Sequence, residues 1–305
     1  MDQIIVRPGR LDDEPHVKEF TRNTYAWGDY VGEAYAGWIA QVASGKGDVY
    51  VAVAAQSGKP VGVIRTDYLS PEEAWFEGIR VHPGFRRLGI GRILTAASIE
   101  KARLRGARTC RVAIDTSNEK STGLARSMGF EPVASIIQFE GHIPPPSAPQ
   151  AQSFLLRAAA AEDASAVYQA MSREMRYVGS DYHWRKVTPQ NVERMICDCN
   201  LRLATDRSGS LVAGAALSDT FIDYDAESRA LCGELASVFG DVAGILALVE
   251  EYDLRAAEAA SRQGLPWRLC ITCERGSPAV GHLPLYGFSE RVDEEICLWE
   301  MKMDG

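Results

Sequence analysis

The chain has no surplus of positive charge. Its 33 lysines and arginines against 41 aspartates and glutamates leave a net charge of -8, which excludes broad electrostatic attachment to nucleic acid or to anionic lipid and leaves room only for a small polyanion. It also lacks a long apolar run: nothing approaches the roughly 18 residues needed to span a bilayer. The opening "MDQIIVRPGRLDDEP" has no basic segment leading into an apolar core. The expectation is a cytoplasmic protein with no membrane and no nucleic-acid partner. Histidine is scarce, and the five present (His16, His82, His142, His183 and His282) form no metal-ligand spacing. His82 has the side chain of a neutral-pH base, but its place between a strand and Pro83 reads as loop packing or exposure. Seven cysteines make an odd set in a chain long enough to fold without staples, which fits reduced thiols. Cys197-x-Cys199 and Cys270-x-x-Cys273 superficially invite zinc. The second pair lies in the strand-like "RLCITCE", where positions three apart face opposite sides, so no metal is expected.

What is present is ordinary globular material, 46% hydrophobic and 24% charged over 305 residues, a length that suggests two domains. The segment "HIPPPSAPQAQ" (142–152) carries four prolines and nothing to bury, and reads as a linker. On either side of it the chain begins again. "IIVRPGRLDDEPHV" resembles "FLLRAAAAEDASAV", with Arg7 and Asp13 matching Arg157 and Asp163 at the same separation. "VYVAVAAQSGKPVGVI" resembles "LRLATDRSGSLVAGAA", each a hairpin around a Ser-Gly turn. The pairs Gly129-Phe130 and Gly287-Phe288 recur near the two ends. The expected organisation is a duplicated fold: domain 1–143, linker 144–152, domain 153–305.

In "AWFEGIRV" strict alternation places Trp75, Glu77, Ile79 and Val81 on one strand face and Phe76, Gly78 and Arg80 on the other. The next stretch, "VHPGFRRLGIGRIL", sets Arg86, Arg87, Leu88, Gly89, Ile90 and Gly91 where that strand gives way to a helix striped by Ile90, Ile93, Leu94 and Ala97. Bare backbone at a helix start can converge on an anion, and the arginines add charge outside it. This is neither a Walker loop nor a dinucleotide fingerprint. A pyrophosphate cradle and a glycine-rich turn with solvated arginines remain equally compatible with the hexapeptide by itself.

Val81 followed by "RRLGIG" resembles the acetyl-CoA signature of the GCN5-related N-acetyltransferase (GNAT) superfamily. "NEKSTGLARSMGF" is similar to that superfamily's second motif, with Asn118, Leu124, Gly129 and Phe130 in matching positions. The resemblance is strong over residues 3–142 and weak over 153–303. It implies an α/β fold of two tandem GNAT-like domains, each a mixed, mostly antiparallel sheet flanked by helices. It also implies acetyl-CoA bound along Ile79 and Val81, on the loop Arg86–Gly91 and near Asn118, between two splayed central strands.

The implied activity is direct acetyl transfer to a primary amine of a small molecule or amino acid. Glu77 would be the general base, made more basic by an apolar strand face, or else the buried partner of a neighbouring arginine. Ala125 stands where many relatives carry the tyrosine that protonates the departing thiolate. The aromatic segment "TRNTYAWGDYVGEAYAGWI" offers Tyr25, Trp27, Asp29, Tyr30 and Tyr35 to a cationic acceptor. "WGDYV…YAGWI" with "FEGIRVHPGFRRLGIG" is fragmentarily similar to histidine N-acetyltransferases, which implies a free α-amine as one possible acceptor. In the second copy Glu234 and Val238 match Glu77 and Val81, but "AGILAL" (243–248) replaces the cradle. That domain is expected to be degenerate. A non-catalytic CoA-binding regulatory module, or a protein or peptide N-acetyltransferase, are the alternatives.

Overall fold

The computed structural model describes residues 3–24, 28–141, 154–180, 183–198, 200–217, 221–225, 228–292 and 295–303. The expected linker 144–152 lies outside these. The chain divides into two compact units, one comprising Met1–Val133 with Cys297–Gly305 and the other Ala134–Ile296.

In the first unit the elements run β1 (Ile4–Pro8), α1 (Glu14–Thr21), α2 (Tyr30–Ala43), β2 (Gly47–Ala54), β3 (Pro60–Ser70), β4 (Glu73–Val81), α3 (Ile90–Leu104), β5 (Thr109–Asp115) and α4 (Glu119–Ser127), leading into β6 (Glu131–Gly141). The second unit adds β7 (Leu155–Ala158), α5 (Ala164–Glu174), the hairpin β8 (Tyr177–Ser180) and β9 (His183–Lys186), α6 (Pro189–Asp198), β10 (Asn200–Thr205), β11 (Leu211–Leu217), β12 (Phe221–Asp225), β13 (Ser228–Gly240), α7 (Val242–Gln263), β14 (Trp267–Glu274) and β15 (Ser289–Glu290). The chain closes with β16 (Ile296–Lys302).

Within the first unit the strand order is β1-β2-β3-β4-β5-β16, and within the second β7-β10-β11-β13-β14-β6. The pairs β1–β2, β2–β3 and β3–β4 of the first unit and β7–β10, β10–β11, β11–β13 and β14–β6 of the second are antiparallel, while β4 with β5 and β13 with β14 are parallel. The strand following α4 pairs antiparallel with β14, from Leu269 opposite Gly141 to Glu274 opposite Ile136. The place beside β5 is filled by β16. The division therefore departs from the linear one at 143: residues 134–141 go with the second unit, and 297–305 return to the first.

Local chemistry explains the elements. β2 and β3 are valine-rich and covered on both faces, so their burial is nearly continuous rather than alternating. Helix α2 buries Val31, Tyr35 and Trp38 along one stripe, and Asp29 caps it by accepting the Val31 amide at 3.0 Å. The duplicated Arg–Asp pair proves to be one motif used twice. Arg7 holds Asp13 through bonds of 2.8 and 2.6 Å, and Arg157 holds Asp163 through bonds of 2.6 and 2.7 Å. Each aspartate also accepts an amide at 2.8 Å, from Arg10 and from Ala160. Burial pushes Asp13 up, but Arg7 and the Arg10 amide outweigh it and hold the carboxyl below its usual value. Arg157 lowers Asp163 in the same way.

Four cysteines, Cys110, Cys232, Cys270 and Cys273, are buried, while Cys197 is exposed. Burial pushes the Cys110 and Cys273 thiols up to about 12, far from the thiolate form that reacts or ligates. Cys199 lies outside the described residues.

At the last paired step of β4 and β5, where Trp75 stands opposite Arg111, the Arg111 side chain is 1% exposed. It bonds Glu73 at 2.9 Å and, on β16, Glu300 at 2.8 Å. Cys110 contacts Met303, and the Met303 amide bonds the Arg108 carbonyl at 2.9 Å. The chain's final strand thus neutralises a buried cation inside the first unit. Replacing Glu300 with Ala leaves that charge half-compensated, and urea unfolding should report a loss of about 3 kcal/mol or more. An unchanged midpoint would show that β16 does not support the first unit in this way.

Candidate functional site

Three features of the first unit converge around β4. The first is a bulge. Val63 pairs with Arg80 and Arg65 with Glu77, so Gly78 and Ile79 together oppose Ile64. Gly78 adopts φ +63°, and a Cβ there would lie 2.5 Å from the Trp38 ring. Glycine is required on both counts.

The bulge corrects the strict alternation read from sequence. Ala74 and Phe76 pack with Ile99 and Ala102 of α3, and beyond the bulge Ile79 and Val81 pack with Ile90 and Leu94 of the same helix. Glu77 and Arg80 turn instead towards α2. Glu77 therefore shares a face with Arg80 and not with Ile79 and Val81.

The second feature is an interrupted ladder. β4 and β5 pair only at Glu73–Thr109, Ala74–Cys110 and Trp75–Arg111. Beyond that step both strands continue, to Val81 and to Asp115, without pairing to each other. The His82 amide bonds the Val61 carbonyl on β3 at 2.9 Å. Backbone alternation then turns the Val81 amide and carbonyl towards the opposite, unpaired edge. The Arg86 side chain already reaches that carbonyl at 3.3 Å. An edge of open backbone groups between diverging strands can accept an extended ligand as a strand would.

The third feature is the loop. His82 anchors it: its Nδ1 accepts the Gly84 amide at 3.0 Å and its ring packs edge-on against Phe20 and Phe85. This is the loop-packing role. Arg87 adopts φ +63° and Gly89 φ +77°. Helix α3 then starts at Ile90, with its first described bond running from the Ile93 amide to the Gly89 carbonyl at 3.1 Å. The amides ahead of that bond have no intrahelical acceptor and present the positive end of the helix dipole. Arg86, Arg87, Leu88 and Gly89 are exposed around them. A Cβ on Gly91 would come within 3.3 Å of Leu124 and 3.7 Å of Ile79, so the glycine keeps the start of the helix close to β4 and α4.

Asn118 caps α4 by accepting the Ser121 amide at 3.1 Å. Ala125 is buried among Phe76, Phe130 and Trp299 and offers no proton. Ser127 donates to the Leu124 carbonyl at 2.8 Å.

On the α2 side three carboxylates meet two guanidinium groups. Arg65 bonds both Glu77 and Gln41, lies 3.6 Å from Asp67, and stacks over Trp38 at 5.4 Å. The environment of Glu77 is therefore an ion pair and not the apolar face expected. Arg80 bonds Asp29 at 2.5 and 3.2 Å, with Tyr30 at 5.8 Å from the guanidinium. The Asp29 side chain is fully buried, held by Arg80 and by the start of α2. Of the residues named for the acceptor, Asp29 acts as a fixed clamp and Tyr30 as its cover, while Tyr25 and Trp27 lie outside the described residues. Arg65, Gln41 and Arg80 were missed from sequence. An arginine inside the apolar run "VGVIRTDYL" was the available signal for the first.

The second unit reproduces the frame with a longer ladder and without the loop. Ser237 takes φ +54° at a bulge where Gly214 pairs with Phe239 and Ala216 with Ala236. Aligning the two bulges places Ala236 at the position of Glu77 and Gly240 at that of Val81. The sequence match of Glu234 and Val238 was two residues out of register. β13 and β14 stay paired through Ala236–Thr272, two residues further than their counterparts. Asp241 alone separates β13 from α7, where residues 82–89 separate β4 from α3. The segment "AGILAL" is helix, so the loop has been removed and not merely altered.

Residues 14–130 match the family model described as Acetyltransferase (GNAT) family. No curated protein matches the sequence. Among solved structures the chain is similar to a GCN5-related N-acetyltransferase from Sphaerobacter thermophilus, at 19% identity over 99% of this chain and 96% of that one, with a TM-score of 0.62. It is also similar to a tandem GNAT protein from the clavulanic acid biosynthesis pathway (15% identity, 99% of both chains, TM-score 0.63). A third is the GCN5-related glucosamine N-acetyltransferase region of a fungal multi-domain GH3 β-N-acetylglucosaminidase (15% identity, 99% of this chain and 38% of that one, TM-score 0.62). At these identities the likeness establishes the fold.

Replacing Gly89 with Ala forces a side chain into the left-handed region at a cost of about 1 kcal/mol, while nothing lies within 4 Å of the added methyl. Calorimetric titration with acetyl-CoA should show affinity falling several-fold with little loss of thermal stability. Undiminished affinity would remove Gly89 from the ligand loop.

Proposed function

We propose that the chain, whose residues 14–130 match the GNAT family model within a tandem GNAT fold, is an acetyl-CoA-dependent N-acetyltransferase whose first unit performs the transfer to a primary amine of a small molecule or amino acid. The observation that carries this reading is the unpaired stretch of β4 beyond Trp75, with the glycine loop and the start of α3 at its end.

The residues present fit the cosubstrate. The Arg86–Gly91 loop and the first-turn amides of α3 suit a pyrophosphate, and the open edge at Ile79 and Val81 suits the pantetheine arm. Asn118 lies at the start of α4, the helix whose Leu124 approaches Gly91.

In the reaction the neutral amine attacks the thioester carbonyl, forming the C–N bond as the C–S bond breaks. The Val81 amide serves as the fixed donor to the oxygen on which charge develops. Glu77 accepts the proton that leaves the amine, directly or through one water. The departing thiolate takes its proton from water, because Ala125 supplies none.

The second unit does not itself bind acetyl-CoA. Its β13–β14 ladder runs two residues further than the β4–β5 ladder, and the loop between strand and helix is absent.

Incubation with acetyl-CoA and a mixed amine panel including histidine, glucosamine, a peptide N-terminus and a lysine peptide should yield an acetylated small molecule by mass spectrometry. Calorimetry should give one acetyl-CoA per chain. Saturable binding with no product would identify a non-catalytic CoA-binding module, acetylated peptide would move the acceptor class to protein, and two equivalents bound would contradict the assignment of the second unit.

A further inference from the structure

We propose that Arg65 is a positioning residue that holds the Glu77 carboxylate in place for acetyl transfer, an assignment that rests on the proton-accepting role of Glu77 argued above. Arg65 is buried on β3, and its guanidinium is fixed from several directions: by Glu77, by Gln41 on α2, by Asp67 at 3.6 Å and by the Trp38 ring at 5.4 Å. Glu77 is the residue immediately before the bulge and lies two residues past the last β4–β5 pair. The Glu77 side chain is largely buried there, and a guanidinium held by Gln41 on its other nitrogen fixes the direction in which the carboxylate points.

The second unit provides an internal control on whether the fold needs this pair. Its bulge stands at the same point of the sheet, and the residues in the register positions of Arg65 and Glu77 are Ala216 and Ala236. Strand pairing, bulge and neighbouring helix all form around two methyl groups. Burying an ion pair where an apolar pair suffices is costly or at best neutral for stability. The pair occurs in the unit that retains the glycine loop and is absent from the unit that has lost it. That distribution follows the cofactor loop and not the architecture, which points to control of the carboxylate's position.

The test compares Arg65→Met, Arg65→Lys, Glu77→Gln, Arg65→Met with Glu77→Gln, and Arg65→Ala with Glu77→Ala, measuring kcat and the KM values for acetyl-CoA and for the acceptor identified from the panel. Arg65→Met should lower kcat roughly 10- to 100-fold while the acetyl-CoA KM stays within about twofold, and Arg65→Lys should recover part of the loss. Adding Arg65→Met to Glu77→Gln should cost nothing further, because the two act as a unit. The alanine pair should melt close to wild type, as the second unit's own Ala–Ala pair predicts, and should be as impaired as Glu77→Gln. Wild-type kcat in Arg65→Met, or multiplicative losses in its double variant with Glu77→Gln, would overturn the positioning role. An unfolded alanine pair would do the same by showing that the ion pair holds the sheet together. Full turnover in Glu77→Gln would remove the base assignment itself, while an impaired Glu77→Gln beside an intact Arg65→Met would remove only the role of Arg65. Should Arg65→Met fail to fold, Arg65→Lys carries the decision: reduced kcat at unchanged acetyl-CoA KM supports the proposal, and wild-type kcat refutes it.

Discussion

The parallel ladder between β4 and β5 stops after three pairs, and the arrangement of the first unit follows from that stop. Two parallel strands that keep growing without bonding each other leave rows of amides and carbonyls that must be satisfied by something else. In this unit the vertex is held by Arg111, clamped between Glu73 and Glu300, so the divergence begins at a fixed point. The bulge at Gly78 then rotates the chain, sending Ile79 and Val81 towards α3 and Glu77 and Arg80 towards α2. One glycine with positive φ thereby separates an apolar side of the strand, packed on α3, from a charged side.

The two units illustrate which parts of this arrangement are architecture and which are chemistry. Both retain the Arg–Asp clamp after the first strand, the central bulge and the single parallel pair. Only the first retains the early end of the ladder, the loop between strand and helix, and the ion pairs Arg65–Glu77 and Arg80–Asp29. In the second, Ser237 holds the bulge instead of a glycine, exchanging bonds of 2.9 Å with the Gly179 backbone on β8. That hairpin fastens the strand where the first unit has Trp38 beside Gly78. Loss of the loop is accompanied by a β13–β14 ladder that ends two residues later than that of β4 and β5.

Much of this was legible in the sequence for a definite reason. The clamp, the hairpins and the glycine loop are written in short, contiguous patterns: Arg7 with Asp13, Ser57-Gly58, Arg86 to Gly91. The GNAT-like order of elements followed from them. What escaped is non-contiguous or depends on one residue's φ. Gly78 looked like any strand glycine, so strict alternation grouped Glu77 with Val81 and hid its partnership with Arg65. The same effect misaligned Glu234 with Glu77, because Ser237 gives no hint of a left-handed conformation. The exchange of closing strands was equally hidden. Pairing of β6 with β14 and return of β16 to the first unit join residues more than a hundred positions apart, and no local pattern encodes that choice.

Amide hydrogen exchange followed with and without acetyl-CoA tests the central claim most directly, because it reads β4 with its glycine loop and β13 without one in a single experiment. The account predicts that ligand slows exchange across residues 79–92, with Val81 and the first-turn amides of α3 prominent, and leaves residues 236–248 unchanged. Protection of the β13–α7 segment, or none along β4 and its loop, would contradict it.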